Sequence, residues 1–177
     1  RSERLLRELA DQVPGMLYRI LFPPVGPSLY LYVSTGARAL YGVEPVDVLA
    51  NVTLLREMRH PHDHARVQQA VLIALQEKAS LNVEFRIILK DGSQKWVHMT
   101  SNFAGEDEHG QVRNGIMLDV TAQKLAQADA HESEARWKLA LDSTGDGVWD
   151  WHIQAEREYY SQRYKELYGY GSDKVWH

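Results

Sequence analysis

One short pattern occurs twice in this chain, and the repetition limits the fold more than any figure of composition. Gly15-Met16-Leu17-Tyr18 follows a stretch whose leucines recur at helical spacing, and Gly147-Val148-Trp149-Asp150 takes the same place after a second helical stretch. The echo continues from Tyr32-Val33-Ser34 through Leu40-Tyr41-Gly42, which returns as Tyr159-Tyr160-Ser161 through Leu167-Tyr168-Gly169. Serine and tyrosine stand the same distance apart in both copies. Self-similarity of this kind marks one supersecondary unit used twice. The second copy has a shorter first hairpin and too little chain after it for a whole domain. The expected organisation is therefore an N-terminal helix over 1–13, a complete domain over 14–121, a helical linker over 122–141 and an incomplete second copy over 142–177.

Local signals fill in the first domain. Leu5, Leu6, Leu9 and Val13 make one helical stripe that Pro14-Gly15 ends. Residues 16–22 and 29–33 are rich in aromatic and aliphatic side chains and predict two strands separated by a Pro/Gly turn. Ser34 is placed to cap a short helix that Gly42 closes, and short helices are expected near 45–49 and 54–58. Pro61 opens a longer helix to about residue 78. Its amide is not needed there, Asp63 suits the positive helix end, and Val67, Ala70, Val71, Ala74 and Leu75 form one stripe.

At Leu81 the period changes to two. Val83, Phe85, Ile87 and Leu89 fall on one face of a half-buried strand, and Asp91-Gly92 predicts a tight hairpin with both central residues at positive φ. Val97, Met99, Ser101 and Phe103 then share the inward face of the next strand, and a polar turn over 106–110 leads to a last strand over 112–120. Residues 122–141 hold no Gly or Pro and predict a helix of about 30 Å. Its apolar positions are sparse, so an isolated coiled coil is not expected.

Composition excludes several functions. With no cysteine there are no disulfides, zinc–thiolate sites or cysteinyl-flavin photochemistry. A net charge of −4 without a basic cluster gives no reason to expect nucleic acid. No apolar run is long enough for a membrane span. No phosphate loop, nucleophile elbow or catalytic carboxylate pair stands at usable spacing, so no catalytic residues are assigned.

Taken in order, the motifs resemble those of the PAS family with its C-terminal PAC segment. The marks are Tyr32-Val33-Ser34 leading to Leu40-Tyr41-Gly42, then His60-Pro61-His62-Asp63, then Lys90-Asp91-Gly92-Ser93 followed by Trp96-Val97, and finally Leu118-Asp119-Val120-Thr121. The resemblance implies an α+β fold: a five-stranded antiparallel sheet with helices packed on one face, a ligand or cofactor pocket between them, and a C-terminal linker helix. It implies a sensory module that passes a change along that helix to an output domain in the same chain, of histidine kinase or diguanylate cyclase type. A homodimer in the cytoplasm is the expected setting. The rival reading is a ligand-free structural and dimerisation module with a filled core.

Candidate site residues follow from the inward alternation. Phe85, Ile87, Val97, Met99 and Met117 on the strands, with Val71 and Met58 above them, are expected to line an apolar pocket for a small apolar ligand, or simply to pack. Flavin-binding relatives place amides on the central strands, where this chain has Ile87, Val97 and Met117, so FMN or FAD is not expected. The helix stripe offers haem iron no ligand. His60, His62, Asp63 and His64 could suggest a metal, yet they are explained as a helix start and no second cluster completes a shell. His131 on the linker lacks the continuation of a phospho-accepting histidine. Asp119 and Thr121, with side chains able to cap the linker helix, are the expected signal-coupling pair.

Two strands cannot bury a core alone, so Val148, Trp149, Trp151, Tyr159 and Tyr160 must cover themselves elsewhere or stay loose. Limited proteolysis is expected to cut after the linker before it cuts within 14–121. Uniform resistance along the chain would refute the incomplete second domain.

Overall fold

The structure, a computed structural model, describes residues 13–144, 149–152 and 157–169. The helix expected over 1–13 and the glycine of the second repeat lie outside the described residues. The chain divides after Lys124 into two compact units.

In the first unit, β1 (Met16–Phe22) and β2 (Leu29–Val33) are followed by α1 (Gly36–Tyr41), α2 (Pro45–Ala50) and α3 (Leu54–Glu57), a 3₁₀ turn at Pro61–Asp63, and α4 (His64–Gln76). Then come β3 (Leu81–Ile88), β4 (Gln94–Asp107) and β5 (Gly110–Asp119). The five strands form one antiparallel sheet in the order β2-β1-β5-β4-β3, and the helices cover one face. This is the expected α+β architecture. Period-two alternation accounts for it: Leu81, Val83, Phe85 and Ile87 on β3 are buried, as are Val97, Met99 and Ser101 on β4.

Pairing sets residues in rows across the inner face. Met16, Met117, Met99 and Val83 are successive partners across four strands, and Tyr18, Gly115, Ser101 and Leu81 form the next row. Gly115 is needed where it stands. A Cβ there would lie 2.4 Å from the Tyr18 ring, which crosses β5 through the gap the glycine leaves.

Three local expectations are corrected. Ser34 does not cap α1; its buried hydroxyl accepts a hydrogen bond from the Leu17 amide at 2.9 Å and fastens β2 to β1. The helix instead starts after Thr35, without a side-chain cap, and ends at Gly42 in the left-handed region as expected. In the β3–β4 hairpin only Gly92 has positive φ, at 83°, because the loop is longer than two residues and the Asp91 carboxylate takes the Ser93 amide instead. Phe103 keeps the inward parity but lies beyond the end of α4, so it is 39% exposed, with the Lys78 ammonium over its ring.

Asp63 does not cap α4 either. It is 5% exposed, and its Oδ2 accepts hydrogen bonds from the Arg86 amide at 2.9 Å and Arg86 Nε at 3.0 Å, while Oδ1 accepts from Arg86 Nη2 at 3.0 Å. Arg86 therefore holds the Asp63 carboxyl well below the usual carboxylate range, against the effect of burial. The start of α4 is thereby pinned to β3.

α5 (Thr121–Thr144) begins where β5 ends. In the second unit, β6 (Trp149–His152) and β7 (Arg157–Tyr160) form an antiparallel hairpin followed by α6 (Gln162–Leu167). Ser161 caps α6 by accepting from the Tyr164 amide at 3.2 Å, the role Ser34 gives up in the first copy.

Asp63→Asn is expected to lower stability by about 1 to 3 kcal/mol at neutral pH, through loss of charge-assisted hydrogen bonds. Because the folded-state pKa is depressed, this contribution is complete above the unfolded carboxyl range near pH 4 and fades as pH falls through the folded value. Urea melts from pH 7 down to pH 3 are expected to show the wild-type advantage narrowing at the acid end. An advantage that stayed constant or grew with acid would refute the assignment.

Candidate functional site

Between α4 and the sheet lies a cavity of about 340 Å³, within the range of small-molecule sites. Tyr18 and Ile20 of β1, Met99 and Ser101 of β4, Arg113 and Met117 of β5, and Leu81 and Phe85 of β3 form its floor. Val71, Ala74 and Leu75 of α4 form the roof. Exposed Pro27, Arg56, Gln68 and Leu72 mark the mouth.

Of the residues expected at a pocket, Phe85, Met99, Met117 and Val71 line this cavity. Ile87 and Val97 are fully buried but do not line it, and Met58 packs against the core outside it. The segment over 58–60 closes on that end of the sheet: the Ile88 amide donates to Met58 O at 2.8 Å, the His60 amide donates to Arg86 O at 2.8 Å, and Arg59 bridges to Ile87.

The wall is not the apolar surface expected. Arg113 is 2% exposed, and its guanidinium donates to Ser101 Oγ at 3.1 Å, Ala74 O at 3.0 Å, Gln111 Oε1 at 3.0 Å, Ser101 O at 3.3 Å and Ala79 O. The Ala74 carbonyl belongs to the last turn of α4, whose negative dipole end suits a cation. Burial lowers the Arg113 pKa all the same. The Tyr41 hydroxyl donates to Met117 Sδ at 3.2 Å, and burial raises its pKa. Burial also raises that of Tyr18, and pushes Tyr30 up to about 12. All three are neutral phenols at physiological pH.

Arg113 was within reach of the sequence, since it shares the parity of Met117 on β5. Arg59 carried no such signal, because it stands in an irregular segment without a period.

His60, His62, Asp63 and His64 do not gather as ligands. The His60 ring accepts from the His62 amide at 3.3 Å, Asp63 binds Arg86 and His64 reaches the cavity; among the described residues no group of His, Asp and Glu is arranged for a metal. No helix among them is long and apolar enough to cross a membrane.

At the far end of β5, Asp119 Oδ1 accepts from the Thr121 amide at 3.0 Å and the Thr121 hydroxyl at 2.6 Å. The Thr121 oxygen in turn accepts from the Trp96 amide at 2.9 Å. Burial disfavours the Asp119 carboxylate, but Thr121 and Lys95 outweigh it and hold the carboxyl below its ordinary range. Lys95 Nζ lies 3.2 Å from Asp119 Oδ2 and also donates to Ala39 O of α1 at 2.8 Å. One ammonium therefore joins the helical layer to the root of α5.

This architecture is a known one. Residues 30–117 match the family model described as PAS fold, and the sheet order with the helices on one face is that fold. The chain is 25% identical over 109 residues to the probable diguanylate cyclase DgcE of Escherichia coli strain K12, an alignment covering 62% of this chain and 10% of that protein. It is 27% identical over 147 residues to the non-motile and phage-resistance protein of Caulobacter vibrioides, covering 81% of this chain and 17% of that one. The chain thus spans less than a fifth of either relative. Among solved structures, a sensory box histidine kinase/response regulator from Burkholderia thailandensis superposes with a TM-score of 0.54 at 21% identity, over 78% of this chain and 98% of the other. That likeness is one of fold.

Val71→Phe is expected to fill part of the cavity and leave stability within about 1 kcal/mol, because the ring enters existing space. Overpacking a filled core would cost about 1 to 3 kcal/mol. Thermal melts with xenon-binding NMR test this. A large loss of stability would show that the roof has no room.

Proposed function

We propose that this PAS domain is a sensory, non-catalytic module that binds a small ligand in the α4–sheet cavity and relays its occupancy through Asp119 and Thr121 to α5. The output would be a domain of diguanylate cyclase or histidine kinase type, elsewhere in a longer cytoplasmic protein. The observation that carries the reading is continuity: Met117 lines the cavity, and two residues later on the same strand Asp119 holds the first turn of α5. The names of the relatives support the choice of outputs.

A second reading, dimerisation, rests on α5. Leu125 and Leu139, fourteen residues apart and so near one face of the helix, are 61% and 71% exposed, an apolar pair that a second copy of the helix would cover. The two readings are compatible, since a sensor helix can act by shifting a paired helix.

Asp119→Ala in the full-length protein tests the relay. A capping interaction is worth about 1 kcal/mol, enough to shift a balanced two-state linker about fivefold. The variant is expected to bind ligand as the wild type does while the response of the output domain flattens by about that factor. Output that still follows ligand normally would make the junction a mere tether. The sensory reading itself falls if native mass spectrometry and ligand-observed NMR against a metabolite library find nothing bound to the full-length protein.

A further inference from the structure

We infer that the cavity takes an organic monoanion, a carboxylic acid with an apolar body, whose carboxylate pairs with the guanidinium of Arg59. The inference rests on the proposed ligand-binding role and specifies the ligand for that same cavity.

Charge is the first argument. The cavity is lined by Arg56, Arg59, His64 and Arg113 and by no Asp or Glu, in a chain whose 24 acidic residues outnumber its 20 lysines and arginines. Among the described residues neither Arg59 nor Arg113 forms an ion pair, so two guanidinium groups face one enclosed space without a carboxylate.

The second argument separates the two. Arginine has five N–H donors, and Arg113 spends all of them on Ser101, Gln111 and the carbonyls around the end of α4. It is a structural group whose charge adds to the potential of the site. Arg59 is the reverse. Its Nε is buried without a hydrogen-bond partner, and its guanidinium carbon lies 5.0 Å from the Phe85 ring centroid. Stacking occupies the face of the guanidinium, and its terminal nitrogens, which make no hydrogen bond among the described residues, remain for a ligand in the cavity that Arg59 lines.

Neither nearby acid forms an ion pair with Arg59: Glu57 accepts from the Thr53 hydroxyl at 2.6 Å, and Asp63, whose charge acts on Arg59, pairs with other arginines. Arg86 takes both Asp63 oxygens, and Arg66 lies 3.5 Å from Oδ1. A buried donor without a partner, here Nε, is an uncommon and costly arrangement. An incoming carboxylate relieves it, matching the planar fork with two parallel hydrogen bonds. One free guanidinium suits one negative charge. Ile20, Val71, Leu75, Leu81, Met99 and Met117 supply the apolar surface for the rest of the molecule.

Isothermal titration calorimetry on the full-length protein tests the inference with two matched pairs of probes, octanoate against octanamide and 4-phenylbutyrate against its primary amide. At least one acid is expected to bind about tenfold or more tightly than its amide. In Arg59→Met, which keeps the apolar stem, the acid is expected to fall to the affinity of the amide while the amide is unchanged. Arg59→Lys is expected to restore part of the preference, and circular dichroism melts check that both variants fold.

Amides that bind the wild type as tightly as the acids overturn the inference and leave the sensory reading intact, as does a neutral native ligand found by mass spectrometry. An acid preference that survives in folded Arg59→Met also overturns it. If no probe binds the wild type the inference fails, and the metabolite search then decides whether the sensory reading fails with it. Should Arg59→Met not fold, the wild-type comparison of acid with amide and the Arg59→Lys variant still decide.

Discussion

Helix α4 is held at both ends by guanidinium groups, and the rest of the domain depends on that arrangement. At its start Asp63 receives three hydrogen bonds from Arg86 of β3. Near its end Arg113 of β5 donates to the carbonyls of Ala74 and Ala79. Both clamps are charge-assisted and directional, so they fix where the helix sits without requiring every side chain beneath it to touch the sheet. Val67 and Ala74 are buried, while Val71 between them roofs open space. Protein interiors are close-packed as a rule, and here the two clamps hold the walls of the cavity apart.

The floor of that space is equally specified. Rows of cross-strand partners bring three methionines together at Met16, Met117 and Met99, flexible side chains that adapt to an irregular boundary. In the next row Gly115 gives up its side chain so that the Tyr18 ring can cross β5. The Tyr41 hydroxyl reaches from α1 to the sulfur of Met117, joining the helical layer to the strand that leaves the domain. Lys95 makes a second such connection, from the Ala39 carbonyl to Asp119. Both links run from α1 to β5, so a displacement of the helical layer bears on the strand at the cavity and again at the root of α5. Lys124 adds a third hold on the first turn of α5, through its ion pair with Glu84 and its position over the Trp96 ring.

The two copies of the repeat show how context redirects a residue. Ser161 caps its helix through the Tyr164 amide, whereas the equivalent Ser34 turns its hydroxyl to Leu17 of the neighbouring strand.

The sequence by itself determined the order of elements, the α+β class and the inner face of each strand from residue 81 onward, because period-two alternation, Pro and Gly placement and helix stripes are local properties of the backbone. Asp119 and Thr121 were singled out as caps, and they hydrogen-bond each other within two residues, but the Thr121 oxygen accepts from the Trp96 amide of β4. The sequence placed Phe85, Met99, Met117 and Val71 on the correct faces, yet parity could not separate them from Ile87 and Val97. Whether an inward side chain meets open space or other side chains depends on segments distant in the chain, which period-two parity does not record. The charge of the site was likewise a tertiary decision. Arg113 is spent and Arg59 is open only because α4, β3 and β5 bring particular carbonyls, one aspartate and one phenyl ring to them, and hydrogen-bond partners that distant in sequence have no period from which they can be read.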